Sequence, residues 1–331
     1  LNCPRRDTGR DITPSRPVSL RGQFNLRIAT KVRDPLTLTV LMIESGDEAV
    51  AFASIDTCGV DDVVVIRARE ELAKRLPEFN AENLVAGATH THTAPFVGGL
   101  GLQKDEDYIE ELRARHPDYM GAGEYCDLLV EALVSAVCEA WEKRAPGFVG
   151  WGYSYAVVGE NRRVRYFDDR SVMYGSTHEP DFSHIEGHVD HGVHLLYAYD
   201  AAQNLTGVVV NIACPSQASE GIQDAISADF WHDIREEVRR RHGEGLFVLG
   251  QCSAAGDQSP HRQVDVRAVE AELCCLLLLH ADVACRGGVA TDEDGTEAGV
   301  VALGAQGCDA ALEVFENGFG HRAAGHHDCG H

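Results

Sequence analysis

Residues 36–55 read LTLTVLMIESGDEAVAFASI, and this stretch decides the class of fold. It contains two apolar runs rich in β-branched residues, 36–43 and Glu48–Ile55, on either side of the polar turn Ser45-Gly46-Asp47. Apolar runs around a short turn that contains glycine are typical of a β-hairpin. A helical repeat follows directly, so the sequence predicts a sheet with a helix packed on it.

The same two patterns alternate along the rest of the chain. Apolar residues three and four apart predict helices, and short apolar runs between turn residues predict strands. Because hairpins occur among these elements, the sheets should be mixed and not wholly parallel. The predicted fold class is α/β, a layered single domain with mixed β-sheets flanked by helices. The predicted helices are 62–76, 125–141, 229–242 and 264–280; the further strands are 83–89, 149–158, 193–199, 205–213 and 246–250; the buried face of the first helix is assigned to Val65, Ala68, Leu72 and Leu76.

The charge of the chain excludes some classes of protein. Its net charge is −23, from 52 acidic and 29 basic side chains, whereas a nucleic-acid-binding protein needs a basic surface to neutralise phosphates. No apolar run approaches the ~20 residues that span a bilayer. We therefore expect a soluble protein with no nucleic-acid partner and no membrane span. Composition leaves the compartment and the oligomeric state open.

The last part of the chain differs in composition from the rest. Five of the 11 cysteines follow residue 273, and none belongs to a Cys-x-x-Cys pair. A chain of this length can build a full core without a disulfide framework, so free and mostly buried thiols are expected. We predict a catalytic α/β domain over residues 1–280 and a divergent or poorly ordered C-terminal segment over residues 281–331.

Polar, reactive residues follow several predicted strands directly. Asp56 follows Glu48–Ile55, His90 follows the next strand, and Cys214 follows the strand at 205–213. In sheet-based enzymes the site collects at such strand ends, because rigid strands deliver loop side chains to one crevice. We expect these residues to lie close together.

The segment His90-Thr91-His92 is the strongest candidate for chemistry. Two histidines at i and i+2 of an extended segment point to the same side. Histidine is the commonest metal ligand and a general base near neutral pH. Solvated or capping histidines before Pro95 are an equally good interpretation, since further metal ligands have to come from elsewhere.

Two other segments carry residues suited to catalysis. Pro260 holds Ser259 in an extended conformation, and Asp257 is near enough in sequence to orient the serine hydroxyl. Asn161 and Arg162 begin a basic patch that could bind a substrate carbonyl, carboxylate or sulfate. A turn of small residues and surface ion pairs are the ordinary explanations of these two segments.

Further candidates lie around residues 184–232. His191 belongs to a group of four histidines, some of which could bind a metal. Asp229 and His232 lie at the start of a predicted helix, where N-capping explains Asp229 without any function. We assign Asp56, Asn161, Asp229 and His232 to substrate binding.

Taken together, these segments resemble the neutral/alkaline ceramidase family in order and spacing over residues 9–261. The resemblance implies that His90 binds zinc, that His92 and the Asn161-Arg162 pair face the substrate, and that Ser259 is catalytic. The matching segments are GRDITP at 9–14, ATHTHTAP at 88–95, NR at 161–162, NIACP at 211–215 with ISAD at 226–229, and AGDQSP at 255–260.

The chain departs from the family at the second zinc ligand. Where the family has a histidine, this chain reads Cys214-Pro215-Ser216-Gln217, so Cys214 or His191 is the expected replacement. Glu313 is a weak match for the family's glutamate ligand, and no residue matches its tyrosine ligand. We therefore predict a divergent and truncated member.

The resemblance implies a metal-dependent hydrolase that cleaves an N-acyl amide bond. Zinc, or another divalent metal, would activate water, while His92 and Arg162 would stabilise the oxyanion. Ser259, oriented by Asp257, would be the nucleophile or a proton shuttle. Two alternatives stay open: a hydrolase of the glycosidic or ester bond of a polar glycan, neutral or acidic, and a non-catalytic ligand-binding relative. The substrate is accordingly a small molecule, an oligosaccharide or a lipid amide.

Overall fold

The computed structural model describes residues 2–4, 9–97 and 108–260. Helices in these residues are α1 (Asp62–Arg75), α2 (Ile109–Arg115), α3 (Ala122–Lys143) and α4 (Phe230–His242), with a 3₁₀ turn at Ala81–Asn83. The strands are β1 (Asn2–Pro4), β2 (Arg10–Asp11), β3 (Val18–Ser19), β4 (Ile28–Ala29), β5 (Lys31–Val32), β6 (Thr37–Ser45), β7 (Glu48–Ile55), β8 (Leu84–Ala88), β9 (Arg144–Tyr155), β10 (Glu160–Asn161), β11 (Arg163–Tyr166), β12 (Ser171–Met173), β13 (Phe182–Ile185), β14 (Gly192–Asp200), β15 (Leu205–Ile212), β16 (Ala225–Ile226), β17 (Phe247–Cys252) and β18 (Gln258–Ser259).

One large mixed sheet organises the molecule. Its strands follow the order β17-β15-β14-β9-β1-β6-β7-β8, and β2 pairs with β6. The pairs β7–β8 and β15–β17 are parallel, and the other neighbours are antiparallel. The prediction of a mixed sheet from the hairpin pattern is confirmed.

The sheet folds back so that its two halves pack face to face. Leu41 on β6 and Phe52 on β7 form one apolar cluster with Val209 on β15 and Leu249 on β17. Successive side chains of a strand point to opposite faces. The outer face of β6 and β7 therefore packs against α1 and α3, and the outer face of β15 and β17 packs against α4. The result is a four-layer α-β-β-α domain.

This packing brings the carboxyl ends of β7, β8, β15 and β17 to one edge. Ser54 on β7 donates a hydrogen bond to the carbonyl of Gly250 on β17. Ser216, which follows β15, donates to the carbonyl of Thr89, which follows β8, at 2.6 Å. The crevice expected at these strand ends is therefore present.

Both predicted hairpins and the predicted helices at α1, α3 and α4 are confirmed, with two differences in detail. In α1 the side chain of Val64 is buried in place of Val65, because positions 64, 68 and 72 repeat every four residues on one face. Helix α3 begins at Ala122 and not at Tyr125, because Glu124 accepts the backbone N–H of Gly121 at 3.0 Å and caps the extra turn.

The predicted helix at 264–280 and the predicted C-terminal segment 281–331 lie outside the described residues. Among the residues that are described, no helix is both long and apolar enough to cross a membrane.

Candidate functional site

His90 and His92 lie in the loop that leaves β8, and their rings meet edge to face with centroids 5.1 Å apart. Their Nε2 atoms are 3.3 Å apart. His90 has a φ of 63°, in the left-handed region that few residues other than glycine adopt. Gly22, with a φ of 108°, packs so close to His92 that an added Cβ would lie 2.4 Å from the ring Cγ. The surrounding backbone is therefore adapted to this pair of rings.

Polar groups from two other loops hold the outer side of His92. Glu220 Oε2 lies 3.2 Å from Nδ1 of His92, and Gln217 Nε2 lies 3.1 Å from it. Gln23 donates to the same Glu220 oxygen at 2.8 Å, and the buried Arg27 donates to the carbonyl of His92 at 2.6 Å. A carboxylate at the outer ring nitrogen is the arrangement that orients metal-binding histidines.

Cys58, in the loop after β7, completes a group that could hold a metal ion. Its Sγ and one nitrogen of each of the two histidine rings all lie within 4.8 Å of one another. Two nitrogens bound to zinc at about 2.0–2.1 Å with tetrahedral geometry are about 3.4 Å apart, which agrees with the observed 3.3 Å. Among the described residues, the buried Oε1 of Gln217 beside this group has no hydrogen-bond partner. Thiolate and imidazole suit zinc, and the residues present fit that ion.

The two histidines have opposite pKa shifts. Burial, together with the neighbouring His92, lowers the pKa of His90 to about 4. Burial acts in the same direction on His92, but hydrogen bonds with Cys58 and Glu220 outweigh it and raise its pKa to about 9. At neutral pH His90 is therefore an uncharged ring, the form that binds metals. The thiol and the carboxylate favour a positive charge between them.

A cavity of about 220 Å³ opens beside His90. The carboxyl ends of β8 and β17 and the loop after β15 form its wall, with Gln217, Cys252 and Ser253 among the lining residues. Arg162 also lines it. The cavity wall thus contains both a guanidinium and an uncharged imidazole.

Arg162 is fixed by neutral partners. Its Nη2 donates to the carbonyl of Gly256 at 2.7 Å, and its Nη1 donates to the Tyr174 hydroxyl at 3.3 Å. The guanidinium carbon also lies 5.7 Å from the centroid of the Tyr174 ring. Within the described part of the chain Arg162 forms no ion pair with a carboxylate, so its charge is available to a molecule in the cavity.

Asn161, Asp257 and Ser259 lie behind Arg162 and do not line the cavity. Asn161 donates to one oxygen of Asp257 at 2.8 Å, and the Gln258 side chain donates to the other at 2.9 Å. The hydroxyl of Ser259 is buried and accepts from Tyr174 at 3.3 Å. These contacts connect the predicted serine box to Arg162.

The other residues predicted to bind substrate have structural contacts. Asp56 forms a buried ion pair with Arg235, at 2.7 and 2.8 Å. Asp229 caps α4 and accepts the backbone N–H groups of Ala218, Ser219 and Phe230; its burial raises its pKa. His232 lies in the first turn of α4, close to Asp34. Neither aspartate lines the cavity beside His90.

The predicted second ligand also lies elsewhere. The sulfur of Cys214 is buried against the carbonyls of Val158 and Pro215, and burial raises the pKa of its thiol. In the described part of the chain, neither Cys214 nor His191 joins the metal-binding group at His90. Gln217, from the same Cys-Pro-Ser-Gln segment, is the residue that reaches His92. The predicted ligand Glu313 lies outside the described residues.

Sequence reasoning misses Cys58, Gln217 and Glu220. The sequence does contain a signal for Cys58, because it lies two residues after Asp56 at the same strand end. No local pattern indicates Gln217, because its partner His92 lies 125 residues earlier in the chain.

Comparison with solved structures identifies a class of fold. The chain is similar to a neutral ceramidase from Pseudomonas aeruginosa, with a TM-score of 0.63 and 17% sequence identity over 83% of this chain and 43% of that chain. It is also similar to a ceramidase complexed with C2, with a TM-score of 0.61 and 17% identity over 83% of this chain and 42% of that chain. No protein-family model matches the sequence, and no curated protein matches it. The chain therefore has a ceramidase-like fold and spans less than half the length of these structures.

Proposed function

We propose that this protein is a metal-dependent hydrolase that cleaves an N-acyl amide bond. The observation that carries the proposal is the Cys58, His90 and His92 group beside a cavity faced by Arg162. The similarity in fold to two ceramidases supports the reaction class. Ceramide itself is the substrate named for those proteins and is one candidate N-acyl amide here.

Each residue of the site has a definite task in this proposal. Cys58, His90 and His92 would hold zinc, so His92 is here a ligand and not the oxyanion donor that the resemblance implies. Zinc would lower the pKa of bound water to about 7 and would polarise a carbonyl. Arg162 stabilises negative charge that develops on the carbonyl oxygen, because its guanidinium is fixed in place before the reaction. Tyr174 positions that guanidinium.

In this proposal Ser259 and Asp257 help to position Arg162. The buried hydroxyl of Ser259 meets Tyr174, and Tyr174 in turn meets Arg162. A proton shuttle or positioning role fits this location better than nucleophilic attack, since Ser259 is buried and does not line the cavity.

His90→Ala is the direct test of the proposal. We expect the wild-type protein to contain about one zinc per chain and to hydrolyse N-acyl amides, and the variant to lose both, with a fall in kcat/KM of at least about 100-fold. Elemental analysis and an amide-hydrolysis assay measure these quantities. His178→Ala, at an exposed histidine, is the control. Full activity in His90→Ala contradicts the proposal, and an absence of metal from the wild type favours a non-catalytic binding protein.

A second candidate function is the hydrolysis of an acidic glycan. It is favoured by Arg162, which forms no ion pair within the described residues, because a substrate carboxylate or sulfate would supply an anion for it. Arg162→Met should then weaken kcat/KM for a uronate oligosaccharide by about 10- to 100-fold and leave a neutral substrate less affected. The control is Arg163→Met, whose side chain already pairs with Glu186. Equal losses on acidic and neutral substrates remove this candidate.

A further inference from the structure

A strip of exposed aromatic side chains lies on the inner face of the sheet. Trp151, Tyr153 and Tyr155 alternate along β9 and therefore point to the same side. They are 46%, 42% and 64% exposed, and the rings of Tyr153 and Tyr155 meet edge to face at 4.9 Å. The partner of Trp151 on β14 is Leu196, which packs on the core cluster between the two halves. The strip thus adjoins the apolar cluster between the two halves of the sheet, but its side chains are exposed to solvent.

The strand register carries this face from the aromatic strip to Gln251, near the carboxyl end of β17. Tyr153 pairs with His194, His194 pairs with Asn211, and Asn211 pairs with Gln251. Because direct cross-strand partners share a face, these four side chains form a row across four strands. The row is about 14 Å long, at about 4.8 Å for each strand spacing. Gln251 directly precedes Cys252, which lines the cavity.

The row combines aromatic and hydrogen-bonding groups. The His194 ring lies 4.8 Å from that of Tyr153. The half-buried side-chain amides of Asn211 and Gln251 have no hydrogen-bond partner within the described residues. If a dry polypeptide surface covered these amides and offered them no hydrogen-bond partner, their desolvation would cost free energy. A sugar ring meets both requirements, since its C–H face stacks on aromatic rings and its hydroxyls bond amides.

We propose that this row is a glycan-binding subsite. A pyranose ring stacks on Trp151, Tyr153 and Tyr155, and the following sugar units lie along Asn211 and Gln251 towards the strand end at which the cavity also lies. Glycan binding at this row does not depend on the proposed hydrolase activity; only the position at which the glycan would be cleaved rests on that proposed function. Together with amide hydrolysis at His90, the row defines the substrate class as an oligosaccharide that carries an N-acylated amino sugar.

The test uses the full chain on a glycan array, followed by titration calorimetry with N,N′,N″-triacetylchitotriose and with the strongest array ligand. We expect binding, and an affinity at least about tenfold weaker in the double variant Trp151→Ala/Tyr155→Ala. The control is Phe167→Ala, which removes a 76% exposed aromatic ring from the turn between β11 and β12, away from this face. Circular dichroism verifies the fold of each variant.

Three results overturn the subsite: no array glycan binds the wild type, the double variant binds as well as the wild type, or Trp151 is protected from hydroxyl-radical footprinting in the glycan-free chain. The third result would mean that polypeptide covers the strip. Failure of the hydrolase proposal has a different signature: His90→Ala keeps full amide hydrolysis, or the wild type holds no zinc, while glycan binding is unaffected. The double variant, conversely, should keep its zinc and its activity on a small N-acyl amide.

Discussion

At the scale of single residues, Cys58 has the largest influence on the chemistry of the site. Without it, the site has two imidazoles, of which His92 meets the carboxylate of Glu220; with it, the two histidines belong to a three-ligand group, and three is the number of protein ligands in catalytic zinc sites. The same thiol also affects the charge of the site, because its hydrogen bond with His92 helps to raise the pKa of that ring.

Cys58→Ala should lower zinc affinity by more than the 10- to 100-fold that loss of an outer-shell partner typically causes. Competition with a chromophoric chelator measures the affinity. Cys252→Ala is the matched control, because Cys252 is also a partly buried free cysteine and lines the cavity without belonging to the metal-binding group. If the two variants bind zinc equally well, the ligand set assigned to this centre is wrong.

At the scale of elements, the sequence predicts what local periodicity controls. The hairpin β6–β7 is recognisable from two apolar runs around a turn that contains glycine, and α3 from apolar residues three and four apart along its 22 residues. The pairing of β10 with β18 is invisible to such reasoning, since each strand has two residues and the partners lie almost a hundred positions apart.

The same limit applies to the site at this scale. His90 follows a strand end and was predicted there, whereas Glu220 lies in a loop whose approach to His92 depends on tertiary packing. Asp229 shows how that loop is held: its carboxylate accepts two backbone N–H groups of the loop, at Ala218 and Ser219, from a backbone conformation with φ 59° and ψ −150°. Such strained conformations persist only where surrounding contacts determine them.

At the scale of the whole molecule, the two halves of the sheet are joined by more than apolar packing. Asp56 follows β7 in one half, and Arg235 lies on α4 in the other. Their ion pair is bidentate and its side chains are 0% and 4% exposed. Thr37 adds two further hydrogen bonds to Asp56, at 2.8 and 2.9 Å. Removal of one partner leaves a buried charge without compensation, whereas removal of both does not.

Arg235→Met should therefore lower the free energy of unfolding by about 3–5 kcal/mol, and the double variant Asp56→Leu/Arg235→Met should lose less than this single variant. Urea denaturation measures both. Arg240→Met is the matched control on the same helix, since its ion pair with Glu237 is exposed at the arginine and should contribute no more than about 1 kcal/mol. If Arg235→Met lowered the free energy of unfolding no more than Arg240→Met does, the buried ion pair would not stabilise the packing of the two halves of the sheet. Zinc content of the folded fraction should stay unchanged throughout, because neither Asp56 nor Arg235 belongs to the metal-binding group.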